Sequence, residues 1–392
     1  MDHHLSPDQK QFLYDQGFIV IKKAVSIDLV DAALARIKSA KKGENLSTEK
    51  SMTDLVNASS ITSVLNEVMG PFDPPQAAQI GILKKRPPGN HYNNLGYKDK
   101  DMPYYGTELH MDGNITIAQP QEIQQGSEEK IYNRWIRSGP KGDLGRTAEV
   151  MGHNYTPLFQ DPEMTLGLGS FTAFVFVCLN DQRQPGCGQT SLLPGAHHLT
   201  EKFFQWQYAQ NGHIGPEGPG WPRLNIHSEN RSGMNYLPEQ ILSAFIDEDS
   251  LATPDGRRWP KPVQILMEPG DACIATYHIP HSGSRNENGT ESRKNIIFRI
   301  RNKRRQPAKV LTGISDHPDR GWLGEWLKYE QGNDPWERSK QALCHMWNEW
   351  EGLQDIVAAA TTEKKQLHLR PSVQLNIPLT EPDTSPCTHL KP

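Results

Sequence analysis

The sequence lacks a long apolar run, is poor in cysteine and has no excess of either charge. No apolar stretch approaches the ~20 residues that span a bilayer, and the polar opening MDHHLSPDQK has no secretory leader pattern. Five cysteines in 392 residues, odd in number and without a Cys-x-x-Cys pair, argue against a disulfide framework and a thiolate zinc site. The 42 basic residues nearly balance 46 acidic ones, for a formal charge of −4, so the basic field of a general nucleic-acid binder is missing. The expectation is a soluble, cytoplasmic protein with neither a membrane nor a nucleic acid as partner. In that setting the Asn-x-Ser/Thr triplets at Asn45, Asn57, Asn154, Asn230 and Asn288 stay unmodified.

What the chain does have is turn formers. With 32 Gly and 30 Pro it exceeds the average usage of about 12% for the two together, which excludes a helical bundle or coiled coil. The first forty residues are well punctuated. Ser6 caps a helix with Pro7 at its first position and Gln9 closing a capping box. Gly17 ends that helix, Phe18-Ile19-Val20-Ile21 reads as a buried strand, and Ser26 opens a second helix. The stretch 41–53 reads as a polar, mobile connection, 61–69 as a helix and 79–83 as a strand. The middle of the chain alternates short apolar runs with turns, the pattern of a sandwich or barrel. Strands are expected at 115–118, 172–179, 190–193, 263–267, 272–277 and 295–301. Two long polar stretches, 119–168 and 199–262, separate them and read as lids or binding loops. They carry Tyr132, Trp135, Arg137, His153, Tyr155, Trp206, Tyr208, Trp221 and Tyr236. From about 320 the pattern turns helical, with Trp322, Trp326, Trp336, Trp347 and Trp350, and a Pro-rich tail follows 370.

Fifteen His and about 22 Asp yield roughly one His-x-Asp triplet by chance, so the triplet alone identifies nothing. Two occur, and context separates them. His110-Met111-Asp112 stands at the entrance to a strand, where residues two apart share a face. One imidazole and one carboxylate on a face are two of the three ligands of an Fe(II) facial triad. His317-Pro318-Asp319 has a proline between its polar residues and reads as a turn. A third ligand has to come from another strand. His278 and His281, three apart in extended chain, point to opposite faces, so only one can look inward. Arg293 opens the next strand, where a guanidinium can clamp a carboxylate with two hydrogen bonds; the plain alternative is a solvated strand-end charge.

These residues fall into four ordered blocks. They are the N-terminal helix–strand–helix, His110-Met111-Asp112, the segment Gly188-Gln189-Thr190-Ser191-Leu192-Leu193-Pro194-Gly195-Ala196-His197, and Pro269-Gly270-Asp271 followed by His281-Ser282-Gly283-Ser284-Arg285-Asn286. Together they resemble the phytanoyl-CoA dioxygenase-like family of Fe(II)- and 2-oxoglutarate-dependent oxygenases. The resemblance implies His110, Asp112 and His281 as iron ligands, His281 being favoured over His278 by its spacing from Gly270-Asp271. It implies Arg293 as partner of the distal carboxylate of 2-oxoglutarate. Gly283 stands where the family has a serine, so a hydroxyl contact to the cosubstrate falls to Ser284, with Ser282 as the other candidate. Phe176 takes the place of a family tryptophan. The separation of 171 positions from His110 to His281 exceeds the family's usual spacing.

The implied fold is mainly β with flanking helices, a double-stranded β-helix of the jelly-roll or cupin kind. It occupies 1–310 with the insertions 119–168 and 199–262, and 311–392 forms a helical extension and tail. The implied reaction uses Fe(II), 2-oxoglutarate and O₂, with ascorbate as reductant, and oxidises a small organic molecule with release of succinate and CO₂. Asp112 favours hydroxylation, because related halogenating enzymes replace this carboxylate with a small residue. A peptide hydroxylase and a non-catalytic cupin-like metal binder are the alternatives.

Overall fold

The computed structural model describes residues 4–87, 109–111, 171–210, 237–250, 260–303 and 342–362, single positions at 220, 252 and 258, and the backbone of three short strand pieces between them. The N-terminal punctuation works as the residues dictate. Ser6 Oγ accepts from the Gln9 N–H at 3.2 Å, and the Gln9 side chain accepts from the Ser6 N–H at 2.9 Å, which starts α1 (Pro7–Gln16). Gly17 ends it at φ +81°, and a Cβ there would also lie 2.5 Å from the His197 ring, so only glycine satisfies both the turn and the close approach. β1 (Phe18–Ile21) and α2 (Ile27–Ser39) follow. The stretch 41–53 departs from expectation. Its last residues belong to α3 (Lys50–Asn57), because Met52, Leu55 and Val56 form an apolar stripe that is fully buried. α4 (Ile61–Val68) completes this layer.

The remaining elements are β2 (Gln79–Leu83), β3 (Thr116–Ile117), β4 (Leu166–Gly169), β5 (Ala173–Cys178), β6 (Thr190–Leu192), α5 (Ala196–Ala209), α6 (Glu239–Leu242), β7 (Val263–Gln264), β8 (Ala272–Thr276), β9 (His281–Gly283), β10 (Arg293–Ile300), β11 (Glu325–Trp326) and α7 (Gln354–Thr362). An antiparallel sheet runs in the order β1-β8-β5-β10-β2, a second in the order β7-β6-β9, and a third in the order β11-β4-β3. The fold is therefore mainly antiparallel β with flanking helices. Alternation along the central strands gives the large sheet two different faces. Val175, Val177, Ile274, Ile296 and Phe298 pack with α2–α4 and with Trp347 and Trp350. Phe174, Phe176, Cys178, Cys273 and Ala275 look the other way, toward Leu192, α5 and the second sheet. That second face holds the candidate site.

Two further expectations change. The stretch 199–262 does not begin as a wet loop, since residues through 209 continue α5 and bury Phe203 and Phe204. Each such side chain contributes roughly 1.5–3 kcal/mol by leaving water, which outweighs the polarity of its neighbours. Trp326 is in a two-residue strand paired with β4 rather than in a helix. Trp347 and Trp350 lie in and beside the short 3₁₀ turns Met346–Glu349 and Glu351–Leu353, held against the body of the fold. There Thr172 Oγ1 donates to Glu349 Oε2 at 2.6 Å, and Asn302 Nδ2 donates to the Met69 carbonyl at 2.6 Å. Most of 119–168, the rest of 199–262 outside α6 and its neighbours, His317, Asp319, Trp322, Trp336 and the tail after 370 lie outside the described residues. Among the described residues no helix is long and apolar enough to cross a membrane.

Candidate functional site

The site begins with one backbone pairing. His110 and His281 form an antiparallel bridge in which each N–H donates to the other's carbonyl at 2.9 Å. Residues directly opposite in such a pair project to the same face. The two imidazoles accordingly stand side by side, ring centroids 4.5 Å apart, and both residues are buried. His281 also lies against Phe174 of β5, centroids 5.0 Å apart and planes 28° apart, which directs it toward the second face of the large sheet. His278 goes another way, because it stands in the turn between β8 and β9 rather than in the extended chain its spacing suggested. Its Nε2 is 2.8 Å from the Leu343 carbonyl and its ring packs on Phe204.

From His281 the strand runs along β6 in register Leu192↔His281, Ser191↔Ser282 and Thr190↔Gly283. The ladder continues through Ser284 N–H to the Gln189 carbonyl at 2.8 Å and Gly188 N–H to the Arg285 carbonyl at 3.1 Å. Alternation therefore sets His281, Gly283 and Arg285 on one face and Ser282 and Ser284 on the other. At Gly283 a Cβ would meet none of the described residues within 4 Å, on the face of His281. Ser284, expected to contact the cosubstrate, follows the same geometry. Its hydroxyl lies 2.6 Å from Ser191 Oγ, on the face away from the imidazoles.

Arg293 reaches this region from β10. Its face of that strand carries Asn295 and Ile297, which pair in register with Cys178 and Phe176. Gly188 and Gly81 make room for it, since a Cβ at Gly188 would lie 3.2 Å from Arg293 Cβ and one at Gly81 would lie 3.3 Å from Arg293 Nη1. The guanidinium is buried, and its Nε has no hydrogen-bond partner. No carboxylate among the described residues pairs with it. Burial lowers its pKa to about 10, with the Cys178 thiol a smaller, opposing influence. Even so lowered, the group is cationic at neutral pH. A buried cation without a counter-charge costs several kcal/mol, which is the arrangement expected where an anionic ligand supplies the missing partner.

Phe176, fully buried, is two residues along β5 from Phe174 on the same face, ring centroids 5.6 Å apart, and forms part of the wall. Asp112 lies outside the described residues. Among the described residues no group of three His, Cys, Asp or Glu gathers around one point. Two imidazoles are brought together. Sequence reasoning missed the surroundings of Arg293, namely Gly81, Gln182 and Asn295. Their signal was weak, because a buried amide in a strand looks like any surface Asn or Gln until its neighbours are known.

No family model matches the chain, and no curated protein matches it. Among solved structures it is similar to the non-heme alpha ketoglutarate dependent carbocyclase SnoK from nogalamycin biosynthesis, at 11% identity over 76% of this chain and 85% of that one, with a TM-score of 0.35. It is similar also to iron-bound HygX from Streptomyces hygroscopicus, at 12% identity over 83% and 98% with a TM-score of 0.36. HygX with nickel and 2-oxoglutarate bound gives 10% identity over 75% and 86% with a TM-score of 0.35. These are distant likenesses.

Proposed function

We propose that this chain is a non-haem Fe(II)- and 2-oxoglutarate-dependent oxygenase, built on a double-stranded β-helix of the phytanoyl-CoA dioxygenase-like kind, that oxidises a small organic molecule. The observation that carries the reading is the pairing of His110 and His281 together with a buried Arg293 that no acid among the described residues pairs. The donor set fits the group. The two imidazoles with the carboxylate of Asp112 would hold a metal, which would supply the binding of a 2-oxo acid and of O₂. When bound, iron and 2-oxoglutarate supply the oxidising chemistry, in which O₂ is consumed, 2-oxoglutarate becomes succinate and CO₂, and a substrate C–H bond is hydroxylated.

The chain's own contribution is placement. Phe174 keeps the His281 ring from turning. The His110–His281 backbone pair fixes the spacing of the two nitrogen donors. Arg293 binds the distal carboxylate with a charge that needs no reorganisation, and Phe176 and Leu192 exclude water from the interior face. Gly283 places no side chain on the face of His281.

The test needs no knowledge of the substrate. Purified protein with Fe(II), ascorbate and 2-oxoglutarate is expected to form succinate slowly by uncoupled turnover, and the His281→Ala variant is expected to form none. Absence of succinate together with absence of 2-oxoglutarate binding would overturn the reading.

A further inference from the structure

Behind Arg293 lies a row of buried amides that the reaction as described does not use. Asn295 and Gln182 are both fully buried, and their side-chain amides meet at 2.7 Å. Gln182 is itself fixed by the backbone, its N–H donating to the Met267 carbonyl at 3.0 Å. Its carbonyl accepts from Gln189 Nε2 at 2.9 Å, and Gln189 Oε1 accepts from the Cys187 N–H at 2.9 Å. The orientation of an amide follows from its neighbours. With Oδ1 turned toward β2, Asn295 accepts from Arg293 Nη1 at 3.3 Å while its Nδ2 donates to the Lys294 carbonyl at 2.9 Å. A matching turn of Gln182 brings its Oε1 to face that Nδ2, in exchange for the contacts its Nε2 makes with Cys178 Sγ at 3.0 Å and the Asn180 carbonyl at 3.4 Å. The Asn295–Gln182 contact then has a donor opposite an acceptor.

We infer that Asn295, braced by Gln182, is the positioning residue that aims Arg293 at an incoming carboxylate. This rests on the oxygenase reading and deepens it. The chemistry of the partner is the point. A carboxylate at position 295 would satisfy the guanidinium equally well but would cancel its charge, and the clamp would be spent within the protein. An amide oxygen accepts one N–H, fixes the plane of the guanidinium and leaves its positive charge intact. Gly81 serves the same end, since a side chain there would press on Nη1 from the opposite strand.

The experiment measures binding by calorimetry to the Mn(II)-loaded full-length protein, with two 2-oxo acids as probes. 2-Oxoglutarate carries the distal carboxylate, and pyruvate chelates a metal without one. For Asn295→Asp the 2-oxoglutarate Kd is expected to rise at least tenfold while the Mn(II) Kd and the pyruvate Kd stay within about twofold of wild type. Asn295→Ala, which removes the acceptor without changing charge, is expected to give a smaller rise of the same selectivity, and it carries the test should the Asp variant fail to fold. With turnover as a second readout, KM for 2-oxoglutarate rises and kcat does not. Equal weakening of both acids in a folded variant would mean that Asn295 has only a structural role, and unchanged 2-oxoglutarate binding would remove it from the site. Wild-type protein that binds pyruvate and 2-oxoglutarate alike would overturn the role of Arg293 and this inference with it. Wild-type protein that binds neither acid would overturn the oxygenase reading itself.

Discussion

The imidazole of His281 lies nearly flat on the ring of Phe174, planes 28° apart and centroids 5.0 Å apart. One side chain belongs to β9 and the other to β5, so this stacking contact helps join the two sheets at the proposed metal centre. Phe174→Leu keeps an apolar side chain and removes the aromatic face. Metal affinity is expected to fall by a few-fold, in line with the roughly 0.5–1.5 kcal/mol of an aromatic pair, with the fold retained. A Co(II) titration followed by visible absorption checks it.

Arg293→Lys preserves charge and loses the planar fork. The expected loss is about 1.5–3 kcal/mol in 2-oxoglutarate binding, or about ten- to hundredfold in Kd, with metal binding unaffected. An unchanged titration would move the clamp elsewhere. Arg299 is the alternative on the same face of β10, where it donates to Gln79 Oε1 at 2.8 Å.

Asp112→Ala removes the only anionic ligand in the proposed set. Substrate-independent succinate formation is expected to drop to background, and Fe(II) affinity to fall at least tenfold. Wild-type turnover in this variant would sink the assignment of the iron site.

Glu201 sits on α5, where its Oε1 accepts from the Met346 N–H at 2.7 Å and holds the C-terminal turns. Burial pushes its pKa up to about 7. The folded state thus retains a proton that the unfolded chain gives up near the ordinary carboxylate value, and stability falls as pH rises from about 4.5 to about 7. Glu201→Gln keeps the acceptor and removes the titration. Its stability relative to wild type, from urea midpoints, is expected to increase across that window. His198 on the same helix acts in the opposite sense. Burial holds its pKa down at about 4, so its contribution is complete above about 6.5 and is lost as pH falls toward 4.

Gly352 lies against α4 so closely that a Cβ would be 1.9 Å from the Glu67 carbonyl oxygen. Gly352→Ala is expected to cost at least about 1–3 kcal/mol, the range for forced overpacking. Faster proteolysis within 342–362 than in the large sheet would place the damage where the geometry puts it.

Much of this molecule was readable from local pattern. Ser6, Pro7, Gln9 and Gly17 bound the first helix because capping and left-handed turns are settled by neighbouring residues. The strands around Val175, Ile274 and Ile296 follow from short apolar runs between turns. Three-residue spacing separated His278 from His281, but the separation comes from the turn that holds His278 between β8 and β9, not from strand alternation. Other features depended on partners far away in the chain. The helix at Lys50–Asn57 is stable because Met52, Leu55 and Val56 find a core built from β5, β8 and β10, and nothing within 41–57 announces that core. Ser284 is turned from the imidazoles by its register with β6, and Asn295 becomes a support for Arg293 only because β2 and the segment at Gln182 close around it. Periodicity tells which face a residue takes. Which surface that face meets, and so whether a buried polar group finds a ligand or another side chain, is decided by long-range pairing.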